Sequence, residues 1–146
     1  MSTILNEEIA CQTWLQGYLA ADSTLSSLAS GVWVHSVPVR ELFPVVKIDR
    51  QDSSDLYTVN LFRVWDDLLY LIRGADHWTG SGQQDWTDVK AIADRLDVLL
   101  HKHSETTSTI QVDCFREQSY VDEQPLSGGG SRLYCGGMYR IRCHAL

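Results

Sequence analysis

The sequence predicts an α+β fold, an antiparallel or mixed β-sheet flanked by an N-terminal helix and a central amphipathic helix, with a projecting β-hairpin. Three observations carry this expectation. Apolar residues recur at helical spacing near the N-terminus and again between Trp86 and Leu100. Several short segments elsewhere alternate apolar and polar residues, or run apolar throughout, as half-buried and fully buried strands do. Between the last two of these, Ser119 to Ser131 carries acidic residues, Pro125 and Gly128-Gly129-Gly130, the composition of a flexible projecting connection.

From Ile4 to Ala21, the residues Cys11, Trp14, Leu15, Tyr18 and Leu19 fall at i, i+3, i+4, i+7 and i+8, one face of an amphipathic helix. Asp22-Ser23 supplies capping chemistry for a short second helical segment through Leu25 and Leu28, which stops at Ser30-Gly31. Val32 to His35 is β-branched and aromatic, and Pro38 withholds a backbone donor, so a short edge strand leads into a loop. Phe43 to Asp49 is a strand with Val46 and Ile48 on one face, and Gln51 to Asp55 reads as a polar turn. Tyr57 to Trp65 and Leu68 to Ile72 read as two further strands joined by a tight turn at Asp66-Asp67. The second is apolar on both faces, so it belongs at the sheet centre or under a neighbouring subunit. Gly74 to Gln84 is a loop, ended by Asp85 as the cap of a helix from Trp86 to Leu100. In that helix Val89, Ile92, Ala93, Leu96, Leu99 and Leu100 form the apolar stripe, while Lys90, Asp94, Arg95 and Asp97 face outward. Such a stripe packs on a sheet, and the alternating segments Ile110 to Cys114 and Tyr139 to Cys143 close that sheet.

At 146 residues the chain fits one domain spanning 1–146, because two cores would each bury too little apolar surface to offset chain entropy. Hydrophobic residues at 44% and charged residues at 21% exclude the disordered class. A net charge of -7 with no local block of Lys or Arg disfavours sequence-specific nucleic-acid binding, although an acidic wall suits a conduit that repels a passing duplex. The first residues lack a basic stretch followed by an apolar core, and no run reaches the roughly 18 apolar residues of a membrane span. A cytosolic site of synthesis and no membrane partner are expected.

Nothing in the sequence marks a catalytic, cofactor or metal site. His101 and His103 lie two apart, His35, His77 and His144 are scattered, and none has the i, i+4 spacing of a helical metal pair. The triple glycine is followed by neither a Lys-Ser/Thr pair nor a helix, so it does not read as a phosphate cradle. Cys11, Cys114, Cys135 and Cys143 form no C-x-x-C pair and sit on apolar faces, where reduced, metal-free thiols are expected. Trp14 and Trp65 read as core, whereas Trp78 and Trp86, in loop and cap positions, are candidates for contact with another chain.

Two stretches carry a resemblance to the tail-terminator, or tail-completion, proteins of long-tailed bacteriophages. One is the opening helix followed by the small-residue break Leu19 to Gly31 and the strand at Val32-Trp33. The other is Phe115-Arg116-Glu117-Gln118, similar to that family's "REQ" strand, with Leu133-Tyr134-Cys135-Gly136-Gly137-Met138-Tyr139-Arg140-Ile141 resembling its "GG-x-YR" return strand. The resemblance implies a homohexameric ring that halts the tail tube and joins the tail to the head connector, within the virion neck, after assembly in the host cytoplasm. It implies as partners the tail tube protein and the connector or stopper protein, with the tail sheath a further candidate and DNA only passing through the lumen. Contacts are then expected at Arg116, Glu117, Asp122, Glu123, Arg140 and Arg142 of the hairpin and at Trp78 and Trp86. Two other readings stay open: another head-completion or tube ring, and a small-molecule-binding α/β domain.

Overall fold

Cys11, Leu15 and Leu19, four residues apart on α1 (Ile4–Ala20), are fully buried, and half-buried Trp14 and Tyr18 complete the apolar face beside them. The computed structural model describes residues 4–38, 40–57 and 63–146. After a two-residue break comes α2 (Ser23–Leu28), capped by Asp22, whose carboxylate accepts the Leu25 backbone N–H at 2.8 Å. The same carboxylate accepts two hydrogen bonds from Arg95, at 2.9 and 2.7 Å, and so ties α2 to α3 (Thr87–Leu100). Val89, Ile92, Leu96 and Leu100 of α3 are fully buried; Leu99 lies beside that line and is half-buried. Asp85 serves the helix start by accepting the Thr87 N–H at 3.0 Å, while Trp86 takes the cap position in the backbone.

Among the described residues six strands form one sheet: β1 (Val32–Val34), β2 (Val45–Tyr57), β3 (Arg63–Trp78), β4 (His103–Thr106), β5 (Ile110–Pro125) and β6 (Ser131–Ala145). Their order is β1-β2-β3-β6-β5-β4, with β1 parallel to β2 and every other pairing antiparallel. Among the described residues the fold is therefore α+β, a mixed sheet with three helices. Strand side chains alternate between faces. Leu68, Tyr70 and Ile72 of β3 join Ile48, Val112, Tyr139 and Ile141 in one core with the helix residues Cys11, Leu15, Leu19, Ile92 and Leu96. The opposite face carries a smaller cluster, Val45, Ala75 and Tyr134, packed by Trp33, Phe43 and Tyr120.

The strands run well beyond the alternating segments that announce them. Gln51 to Asp55 is not a turn: these residues continue β2, paired with β3 from Asp52↔Leu69 to Asp55↔Asp66 after an irregularity between Arg50 and Asp52. Asp66-Asp67 is likewise no turn but lies within β3, with β2 on one side and β6 on the other. Two adjacent acids imitate turn composition, yet a central strand tolerates them where a carboxylate finds a cation, and Asp67 accepts from Arg140 at 3.0 Å. The expected loop from Gly74 to Gln84 begins only at Thr79, because β3 pairs with β6 as far as Trp78↔Ser131. Of the strand expected over Tyr57 to Trp65, residues 58–62 lie outside the described residues; Tyr57 ends β2 and Arg63 opens β3. Ser119 to Pro125, expected as flexible connection, extends β5, and the turn to β6 is confined to 126–130. Strand β4 has no counterpart in the sequence reading, its four residues being too polar to show alternation.

Candidate interaction surface

β5 and β6 pair from Ile110↔Ala145 to Pro125↔Ser131. Their turn is closed by hydrogen bonds from the Leu126 N–H to the Gly130 carbonyl and from the Gly129 N–H to the Leu126 carbonyl, both 3.1 Å. Gly129 and Gly130 supply the left-handed backbone this needs, at φ +93 and +77. Gly136 of the return strand answers a different demand. A Cβ there would lie 2.2 Å from the Ile72 carbonyl oxygen and 2.5 Å from Arg73 Cα, so β6 approaches β3 too closely for any side chain.

On its outer side, β5 is covered by β4 only over Gln111 to Cys114. Among the described residues no strand pairs with the outer edge from Phe115 to Pro125, an edge ~35 Å long at strand rise. Arg116 to Ser119 and Val121 to Pro125 are exposed, and Val121 leaves 66% of its surface to solvent. A free strand edge of this length is a template for another chain, and the charged side chains along it guard against unspecific pairing.

The structure divides the residues singled out in the sequence. Arg116 keeps the parity of Val112 and Cys114 and pairs with Tyr139 on the helix-covered face, while Arg140 and Arg142 point to the other; a register shift after Arg116 makes Glu117 the extra residue and turns Asp122 to the open face. Arg116 reaches Asp97 of α3 at 3.4 Å. Arg140 instead lies between Glu117 and Asp67 in a three-member ion network. Its hydrogen bonds hold the Glu117 carboxyl below the usual range, and Glu117 and Asp67 in turn raise the guanidinium. Arg142 extends over the Phe115 ring, 5.8 Å from its centroid. Asp122 accepts from the Tyr120 hydroxyl at 3.1 Å, and Glu123 accepts from Ser131 and Gln84, each at 2.8 Å. Neither acid has a cationic partner among the described residues, so the far half of the edge keeps its negative charge.

Trp78 ends β3 opposite Ser131, half-buried, with no acceptor for its shielded indole N–H among the described residues. Trp86, also half-buried, donates to Gln84 at 3.4 Å. Two partners escaped the sequence reading. Asp67 was hidden by its turn-like neighbour, and Arg73 lies buried on the open face with its guanidinium 4.3 Å from the Tyr134 centroid, 5.4 Å from that of Tyr120 and 3.1 Å from Asp49. Strand parity, once Tyr70 and Ile72 are assigned to the core, is the signal that puts Arg73 on the other face.

Cys11, Cys114 and Cys143 are buried where α1 meets the sheet. A hydrogen bond with Cys143 and burial hold the Cys11 thiol well above its ordinary range, and burial pushes Cys114 up to about 12. Among the described residues no group of three or more His, Cys, Asp or Glu is placed to hold a metal ion, and no helix is long and apolar enough to cross a membrane. No protein-family model matches the chain, and no curated protein matches it in sequence.

Proposed function

We propose that this chain is a structural ring protein of a long-tailed phage, a tail terminator that closes the tail tube and joins it to the head connector. The observation that supports the reading best is the β5 edge from Phe115 to Pro125, unpaired among the described residues, backed by a helix-braced sheet and carrying both charge signs. The β5–β6 hairpin is the projecting element of this proposal. A closed ring built from head-to-tail contacts uses one surface of each subunit against a different surface of the next, so no free edge is left to recruit further copies. Six copies, the number the sequence resemblance implies, place tube protein on one side and connector on the other, and the sheath of a contractile tail stays a candidate neighbour. The role requires rigidity, rotational closure and an electrostatically repellent passage for DNA, to which the net charge of -7 is suited. It requires no catalysis.

The test is the native mass of the assembly beside the length of tails made with an edge variant. A species of six times the chain mass is expected, and Val121→Lys, which places a charge on the exposed edge, is expected to shift it toward single subunits of unchanged fold. Tails assembled with that variant should be irregular in length or fail to join heads. Unlimited growth of the pure protein into tubes would assign it to the tube instead, and a monomer at all concentrations with normal tails from the variant would remove the reading.

A further inference from the structure

On the open face of the sheet, away from the hairpin edge, His35, Phe43, Lys47, Ala75, Arg132 and Tyr134 surround a cavity of about 220 Å³. The charge around it is unbalanced. Asp49 faces three basic groups at once, with Arg73 at 3.1 Å, His35 at 3.4 Å and Lys47 at 3.7 Å. Arg132 has no carboxylate within ion-pairing distance among the described residues. Its Nε is shielded from solvent and finds no acceptor there, although a buried donor left unsatisfied is costly. The guanidinium is nevertheless held in place, 4.5 Å from the centroid of the Phe43 ring. Asp122 shares this face but is engaged by Tyr120. Lys47 and Arg73 thus share Asp49, and Arg132 is the cation that meets no carboxylate among the described residues.

We propose that this cavity binds a single carboxylate carried on a short apolar stem. The two Nη atoms of Arg132, which unlike Nε are not closed off, match a carboxylate in two-point geometry; Lys47 adds charge at the rim, and Val37, Phe43 and Ala75 offer the stem an apolar wall. Volume limits the ligand. Drug-sized ligands occupy pockets of about 300–1,000 Å³, whereas the space here holds roughly seven waters' worth of liquid. That is the size of a small organic acid or of one Glu side chain in a peptide. The site is independent of the ring proposal, because it lies on the sheet face and needs no second subunit to be complete.

The side-chain Nε–Hε signal of Arg132, assigned by its absence from Arg132→Gln, reports on the site directly in ¹H–¹⁵N spectra. Isovalerate, N-acetyl-glutamic acid N-methylamide and inorganic phosphate are titrated in turn into the whole protein. Both carboxylates should move that signal and the backbone amides of His35, Phe43 and Tyr134 saturably, and Arg132→Gln should weaken binding at least tenfold. Arg132→Lys, which keeps the charge but loses the fork, should weaken it too, and serves if the Gln variant does not fold. Tighter binding of the glutamyl probe identifies the source as a protein side chain, and tighter binding of isovalerate a free acid; either supports the site. Absence of saturable shifts, equal binding by both Arg132 variants and the native protein, or binding of phosphate alone overturns it.

Discussion

Asp22 shows how one residue can hold several elements. It caps α2 through the Leu25 amide and grips Arg95 of α3 with both carboxylate oxygens. The Arg95 hydrogen bonds, more than that of Leu25, hold its carboxyl below the ordinary value. A carboxyl with a lower pKa in the folded chain contributes stability above its unfolded pKa, near 4, and loses it as pH falls through the folded value. Asp22→Asn keeps a competent cap and removes the charge. It should lower stability at pH 7 and flatten the loss on acidification, so that urea midpoints of the two proteins converge below about pH 4. Parallel midpoint curves from pH 7 to 3 would contradict this assignment. The thiols provide a second test at this scale. Cys135 is the one cysteine left half-exposed, and burial raises its thiol too, but the other three are closed in the core. Iodoacetamide should therefore label Cys135 first, with the others slower by roughly tenfold or more, as read by mass spectrometry of peptides. Equal labelling of Cys11 would mean that α1 lifts readily from the sheet.

At the scale of elements, α3 is the best-announced part of the chain, and its stripe is fully buried at four positions, Val89, Ile92, Leu96 and Leu100. Leu96 is fully buried between α3 and the sheet core, so Leu96→Ala should cost about 2–5 kcal/mol, measured as a lower denaturant midpoint with the slope little changed. A cost below about 0.5 kcal/mol, the range of surface changes, would be incompatible with that packing. Strands behave differently from helices here. The polar stretch at 51–55, Asp66-Asp67 and Ser119 to Pro125 all lie in strands, since the backbone is satisfied by a neighbouring strand whatever the side chains are.

For the whole molecule, the asymmetry of the sheet is the main consequence of the topology. Among the described residues one edge is the three-residue β1, the other the short β4 followed by the bare length of β5. Amide exchange should separate these regions. In isolated subunits, outward-facing amides between Phe115 and Pro125 should exchange far faster than those of β6, which has strands on both sides. If the edge is the subunit contact, assembly should protect these same amides. Unchanged exchange upon assembly would place the contact elsewhere.

Periodicity determined the elements whose chemistry is local. The apolar stripes of α1 and α3 and the in-facing Val46 and Ile48 follow from spacing alone, because burial selects residue type at every third, fourth or second position. The apolarity of Leu68 to Ile72 on both faces, by contrast, left a sheet centre and a subunit contact open until the strand order placed it inside the sheet. The candidate interface residues were legible as a group of charges on two adjacent strands, but not their division between faces. One extra residue at Glu117 inverts the parity of Asp122 and Glu123 relative to the core positions Val112 and Cys114, and no composition signal marks such a bulge. Only the tertiary structure decided that β3 and β5 run past their apolar segments, that Asp67 neutralises Arg140 and that Arg132 is left beside a cavity without an acid. These are outcomes of pairing between residues distant in the chain, where a polar side chain is tolerated or not according to the partner that the sheet register brings to it.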